Sequence, residues 1–227
     1  ISGPPGTGKT SMFITQKYTE LLKKYSYNRI IILSHTNVAA DEIRDEILKL
    51  PEMEGVTKKA MKYKICTIHA YCKSRLVGRK EVFSYEDHKN LSMIDSLFNL
   101  QRINESEFNA DKHKFYRYLA DAYGRGSTLK EHWKICDKNA YKPYNLNSIE
   151  QMEFPYTQYK HDNHVCDYAD MIQEFIDKAI EPDIDALIVD EAQDSNVPQR
   201  EALDKMATKA KEYYFVGDAD QTIFEFA

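Results

Sequence analysis

Apolar residues along this chain recur with two periods, and the switches between them outline its elements. Met12, Phe13, Tyr18, Leu21 and Leu22 fall at roughly helical spacing, and Lys23 and Lys24 follow where cations suit a helix C-terminus. Arg29 to Ser34 is a short β-branched run that predicts a strand buried on both faces. Thr36 or Asn37 can cap a next helix, with Val38, Ala39, Ile43 and Ile47 as its apolar face and Pro51 marking its end. Tyr63 to Ile68 reads as a third strand leading into a short helix that carries His69, Tyr71 and Cys72. Later, a helix runs from Asp167 to Ala179, Ala186-Leu187-Ile188-Val189 is a core strand, and a helix follows from Pro198 to Lys209. Tyr213 to Val216 makes one more strand, ending at Gly217-Asp218.

Between Gly78 and His164 the strand signals vanish. Tyrosines and charges are dense there, and Leu91, Ile94, Leu97 and Phe98, then Phe115, Tyr118, Leu119 and Tyr123, recur at helical spacing. The aromatic stripe reads as core rather than as a ligand surface, and Gly124-Arg125-Gly126-Ser127 breaks the stretch into at least two helical parts. The order βαβα, helical stretch, αβαβ predicts an α/β fold: a mostly parallel sheet with helices on both faces, built from 1–77 and 165–227 and interrupted by an all-helical insert at 78–164.

A chain of 227 residues, 42% of them hydrophobic, can fill such a core. It has no run of about 18 apolar residues to span a membrane. The net charge of −5 removes the easy argument for a nucleic-acid binder, although a groove can be basic on an acidic protein. Cys66, Cys72, Cys136 and Cys166 are too scattered for a disulfide scaffold and point to a reduced, cytosol-like compartment. Cys66, His69 and Cys72, with His161, His164 and Cys166, have ligand chemistry but match no standard zinc spacing. They read as buried thiols and surface histidines.

The sharpest chemical signal is Gly3-Pro4-Pro5-Gly6-Thr7-Gly8-Lys9-Thr10, followed by Ser11. It fits G-x-x-x-x-G-K-[ST], in which glycines let the backbone N–H groups curl around phosphates, the lysine adds a point charge and the hydroxyl takes a place on Mg²⁺. Such a loop needs a strand before it, and only Ile1 and Ser2 precede Gly3, so the chain is expected to be an internal piece of something longer. Asp190-Glu191-Ala192-Gln193-Asp194 then follows an apolar strand. Asp190 beside the phosphate loop can hold Mg²⁺ through water, and Glu191 can accept a proton from the water that attacks a γ-phosphate. The expected cofactors are therefore ATP and Mg²⁺.

These residues, with Val216-Gly217-Asp218-Ala219-Asp220-Gln221-Thr222-Ile223-Phe224, resemble the UvrD/Rep group of superfamily 1 helicases. Ser34-His35-Thr36-Asn37-Val38-Ala39-Ala40 is similar to that family's T-x-T-N-x-A-A segment, and Thr67-Ile68-His69-Ala70-Tyr71 to its T-[FI]-H-[SA]-[FY] segment. Asp167-Tyr168-Ala169-Asp170-Met171-Ile172 is similar to the stretch that re-enters the core after the family's helical insert. The resemblance implies a RecA-like P-loop NTPase fold and an ATP-driven 3′-to-5′ motor on single-stranded DNA and duplex junctions. A second RecA-like domain of the full-length chain would complete the ATP site, and the protein would reside wherever its DNA is, not secreted.

Residue by residue, the resemblance implies that Lys9 neutralises phosphate charge, Thr10 and Asp190 hold Mg²⁺, Glu191 is the base, and Gln221, aided by Gln193, senses the γ-phosphate. His35, Thr36, Asn37, Thr67 and His69 would face single-stranded nucleic acid, and Phe224 and Phe226 would stack on bases or pack inward as core. His35 departs from the family, which often has an aromatic ring there; Ser11 and Ala227 stand where relatives often carry arginines. A helicase–nuclease motor, an RNA-acting relative and an AAA-type protein remodeller are the competing readings. The Lys9 to Asp190 separation and the Gly217-Asp218-x-x-Gln221 loop argue against the last.

Overall fold

A computed structural model of the chain describes residues 9–76, 80–101, 103–108, 112–178 and 183–217, with side chains from Met12 onward except that of Glu107. In chain order the elements are α1 (Lys9–Leu22), β1 (Ile30–Ser34), α2 (Asn37–Ile47), β2 (Ile65–Thr67) and α3 (Ile68–Ser74). There follow β3 (Glu81–Val82), α4 (Tyr85–Ile94), α5 (Lys114–Gly124), α6 (Leu129–Ile135), α7 (Leu146–Asp162) and β4 (Val165–Cys166). The last are α8 (Tyr168–Asp177), β5 (Ala186–Val189), α9 (Val197–Ala207) and β6 (Glu212–Phe215). The chain divides into two compact units, one drawn from residues up to Arg75 and from Glu174 onward, the other Leu76–Gln173.

The first unit is a parallel sheet in the order β2-β1-β5-β6. Every residue of β1 and β5 is buried, as continuous apolar runs require of central parallel strands. Ile30 and Ile32 of β1 and Ala186 and Ile188 of β5 meet Ile14, Tyr18 and Leu21 of α1 and Ile43 and Ile47 of α2 in one cluster. Alternation sends Ile31, Leu33, Leu187 and Val189 to the opposite face, which is also fully buried. The helix faces differ in detail from those read off the sequence. Met12 and Val38 are largely exposed, and Ile14 and Ala40 take the inward positions. The helical repeat allowed either choice, and only the sheet beneath selects one.

The second unit is helical, with starts fixed by reciprocal side-chain caps. Ser84 with Asp87, Thr128 with Glu131 and Asn145 with Ser148 each close a capping box at the head of α4, α6 and α7. The aromatic stripe is core: Leu91, Phe98, Phe115, Tyr118, Leu119 and Tyr156 belong to one buried cluster, whereas Ile94 points outward. The helical spacing did not foretell the two-residue parallel ladder of β3 with β4 that accompanies this unit.

The cluster encloses His113 and His88, with Tyr144 Oη 3.3 Å from His113 Nε2 and Tyr116 Oη 2.9 Å from His88 Nδ1. Burial, reinforced by His88, holds the His113 imidazole down to about 3 from its ordinary 6.5. A histidine that resists charging when folded contributes no penalty above its unfolded value; stability is lost as pH falls below about 6.5 and the loss saturates near 3. At pH 4.5 the expected loss from His113 is about 2–3 kcal/mol relative to pH 7.5. Urea titrations at the two pH values check this, and His113→Gln should remove the His113 share of the difference, leaving that of other histidines held down by burial, such as His69.

Candidate functional site

Parallel pairing of β1 with β5 sets Leu33 beside Val189, and the Asp190 amide donates to the Leu33 carbonyl at 2.8 Å. Ser34 and Asp190 therefore emerge together at the carboxyl edge of the sheet. From this point α2 leads the chain to β2 on one side, and α9 leads it to β6 on the other. Connections that diverge in this way mark a switch point, the place where parallel α/β sheets bind ligands.

Asp190 is only 6% exposed; its Oδ2 accepts from Ser34 Oγ at 3.4 Å, while its Oδ1 is buried and has no hydrogen-bond partner among the described residues. Burial and then the charge of Glu191 push the Asp190 carboxyl up to about 6, with Ser34 opposing them. An unsatisfied buried carboxylate oxygen beside a hydroxyl suits a hard, hydrated divalent cation, whose charge would reverse that rise. Among the described residues no group of three or more His, Cys, Asp or Glu side chains gathers into a metal site, so such a cation would keep much of its water.

Glu191 has a left-handed backbone, φ 51, and caps the short 3-10 turn Ala192–Asp194. The turn is tied by Asp194 N to Glu191 O at 2.9 Å and Ser195 N to Ala192 O at 3.2 Å, and Ala192 N reaches Val216 O of the β6 end at 2.9 Å. Gln193 Nε2 donates to Glu191 Oε2 at 2.7 Å and so aims the carboxylate. Space for the amide depends on Gly217: a Cβ there would lie 1.8 Å from Gln193 Oε1.

His35 and Thr36 join β1 to α2, which opens with Asn37; Thr67 ends β2, side by side with Ser34 in the ladder, and His69 lies in the first turn of α3. Thr36 Oγ1 accepts from Ala39 N at 3.1 Å and Thr67 Oγ1 from Ala70 N at 3.2 Å, so each threonine caps a helix. Their hydroxyl protons remain able to donate to a phosphate. Burial, then the neighbouring His35, hold His69 down to about 4, and burial lowers His35 against the opposing charges of Asp194 and Glu191. Both rings are neutral at pH 7, which makes this edge a hydrogen-bonding surface more than a cationic one.

Asp190, Glu191, Gln193 and His35 thus share one edge of the sheet, with Thr36 and Asn37 at the head of α2 and Thr67 and His69 at the junction of β2 and α3. The phosphate-loop residues Gly3, Pro4, Pro5, Gly6, Thr7 and Gly8, the side chains of Lys9, Thr10 and Ser11, and Gln221, Phe224 and Phe226 lie outside the described residues. Ser34, Ser195 and Gly217 were not singled out as site residues from sequence. Ser34 left a signal, a hydroxyl closing an apolar strand. Cys66, Cys72 and Cys166 are buried, and burial pushes the first two thiols up to about 12; His161 and His164 are exposed.

Curated proteins similar to this chain include one named "Probable DNA helicase II homolog" from Mycoplasma genitalium, 27% identical across 97% of this chain and 33% of its own length. Another is "ATP-dependent DNA helicase Rep" from Buchnera aphidicola, 25% identical across 97% of this chain and 35% of its own length. A "Probable DNA helicase" from Mycoplasma pneumoniae is 22% identical across 96% of this chain and 43% of its own length. The chain spans about a third of the length of the first two relatives. The sequence matches the family described as UvrD/REP helicase N-terminal domain over residues 1–227, and the chain belongs to that family.

Proposed function

We propose that this chain is the first RecA-like motor unit, with a helical insert, of a helicase that hydrolyses ATP to move 3′-to-5′ along single-stranded DNA and open duplex junctions. The observation that carries the reading is the pair Asp190 and Glu191 at the switch point, one carboxylate with a buried oxygen left unsatisfied by the described residues and the other aimed by Gln193. Lys9 and the backbone of Gly3 to Gly8 would cradle the phosphates, and Thr10 and Asp190 would hold Mg²⁺. When bound, that ion neutralises charge on the β- and γ-phosphate oxygens. Glu191 would take the proton of the attacking water, and Gln221 would sense the γ-phosphate. A second RecA-like domain would supply arginines worth about 10³–10⁵ in rate. His35, Thr36, Asn37, Thr67 and His69 would hold the strand's backbone through hydrogen bonds.

The test is ATP hydrolysis by the full-length protein with and without oligodeoxythymidine, followed by strand displacement on 3′- and 5′-tailed duplexes. Stimulation by the oligonucleotide and displacement only from the 3′ tail are expected. Stimulation by RNA alone, or none, would refute the assignment. Gly217→Ala should displace the Gln193 amide, since the flexible side-chain end yields more easily than backbone. Stability should change by under about 1 kcal/mol in urea melts, while hydrolysis drops as Glu191 loses its aim. Phe224→Ala with Phe226→Ala should weaken oligodeoxythymidine binding by about 1–3 kcal/mol per stacked base. The salt slope of binding should stay the same, because it counts phosphate contacts.

A further inference from the structure

His35 Nε2 and Ser195 Oγ share a hydrogen bond of 3.2 Å between the loop after β1 and the acidic loop after β5. Ser195 is 1% exposed, and its amide closes the turn on which Glu191 is the N-cap. His35 is half-buried, with exposed Thr36 and Asn37 next to it, so its ring has one side toward the acidic loop and its backbone on the open strand-facing loop. A phenyl ring at this position could not make the bond to Ser195, which uses the His35 ring nitrogen.

We infer that His35 is a positioning residue that couples the strand-facing loop to the catalytic turn: a nucleic-acid strand held along His35 to Asn37 fixes the imidazole against Ser195, and Ser195 fixes the turn that presents Glu191. This rests on the proposed motor function and adds to it a route by which an occupied strand site raises hydrolysis. A shift of the Ser34 to Asn37 loop moves one end of the bond, and the hydrogen-bonded turn from Glu191 to Ser195 carries the other end. Glu191 is already in a left-handed conformation that side chains with a Cβ rarely adopt, so a small change in its support alters its aim. Thr36 is held by the Ala39 amide and not by Ser195, so a strand gripped by Thr36 and Asn37 would be gripped independently of the bond that reports it.

The experiment uses the full-length protein and oligodeoxythymidine, reading the ratio of stimulated to unstimulated ATP hydrolysis and, separately, strand affinity by fluorescence anisotropy. Ser195→Ala should lower the stimulation ratio by about tenfold, within the range typical of coupling between sites, with strand affinity within about twofold of the parent. Ser195→Thr, which keeps the hydroxyl, should restore the ratio. His35→Ala should lower the ratio at least as much, and the double variant should be no worse than His35→Ala alone, since Ser195→Ala then removes a bond already lost. Additive losses, or a Ser195→Ala protein stimulated like the parent, would overturn this inference while leaving the motor reading intact. A parent protein with no stimulation at all would overturn both.

Discussion

Glu191→Gln in the full-length protein is expected to bind ATP as the parent does and to hydrolyse it about 10²–10⁴-fold more slowly in the presence of single-stranded DNA. The substitution keeps shape and an acceptor oxygen. The Gln193 amide that now donates to Glu191 Oε2 at 2.7 Å can donate to the new carbonyl, and the 3-10 turn behind it is held by backbone bonds that do not involve the side chain. Only the ability to take a proton disappears. The loss also acts on Asp190, because Glu191 is the charge that, after burial, raises the Asp190 carboxyl to about 6. Without that neighbour Asp190 ionises more readily, which favours cation and nucleotide binding rather than opposing it. Titration with a fluorescent ATP analogue and a phosphate-release assay separate the two effects. Parental turnover in the variant would remove Glu191 from the role of base.

Lys160→Met should destabilise the helical unit by about 3 kcal/mol or more, because it removes the cation from a buried ion cluster. Lys160 is buried near the end of α7, with Nζ 2.6 Å from Asp167 Oδ2 and 2.8 Å from Asp170 Oδ2. Asp167 also accepts from Tyr156 Oη at 2.8 Å, and the Asp167 and Asp170 side chains each accept from the other's amide at the head of α8. Burial alone would push the lysine down and both carboxyls up. The two carboxylates instead hold Lys160 above its ordinary value, and Lys160 with its neighbours brings Asp167 below its own, while Asp170 stays raised by burial and by Asp167. One cation therefore compensates two carboxylates, and its removal leaves them facing each other with little solvent. Urea unfolding at pH 7.5 measures the loss. Combining Lys160→Met with Asp167→Asn should recover part of it, because the second change removes one of the stranded charges.

The two buried-charge sites show how far pattern reading reaches. The strands Ile30–Ser34 and Ala186–Val189 were legible because a strand covered on both faces must be apolar throughout. Asp190-Glu191 was legible as chemistry because two carboxylates after such a run have no packing reason to be there. Tyr118 and Phe115 were correctly read as core from helical spacing. Met12, Val38 and Ile94 were not, since a helix carries apolar residues on more than one angular position and sequence does not say which angle meets the sheet or the neighbouring helix. Asp167 and Asp170 were visible as a motif, but their cation, Lys160, comes from the preceding helix and was invisible.

What the sequence determined by itself was local: where the chain is extended or helical, which loops carry phosphate and acid chemistry, and the family to which those loops are similar. These follow from side-chain period and residue type, which act within a few positions. Tertiary structure alone decided which distant groups share a bond: Ser34 with Asp190, His35 with Ser195, and Gly217 making room for Gln193. Each pair joins loops some 24 to 160 residues apart in the chain. Parallel pairing in the order β2-β1-β5-β6 brings those loops to one edge, and strand register, a property of the whole sheet, sets which atoms come within hydrogen-bond reach.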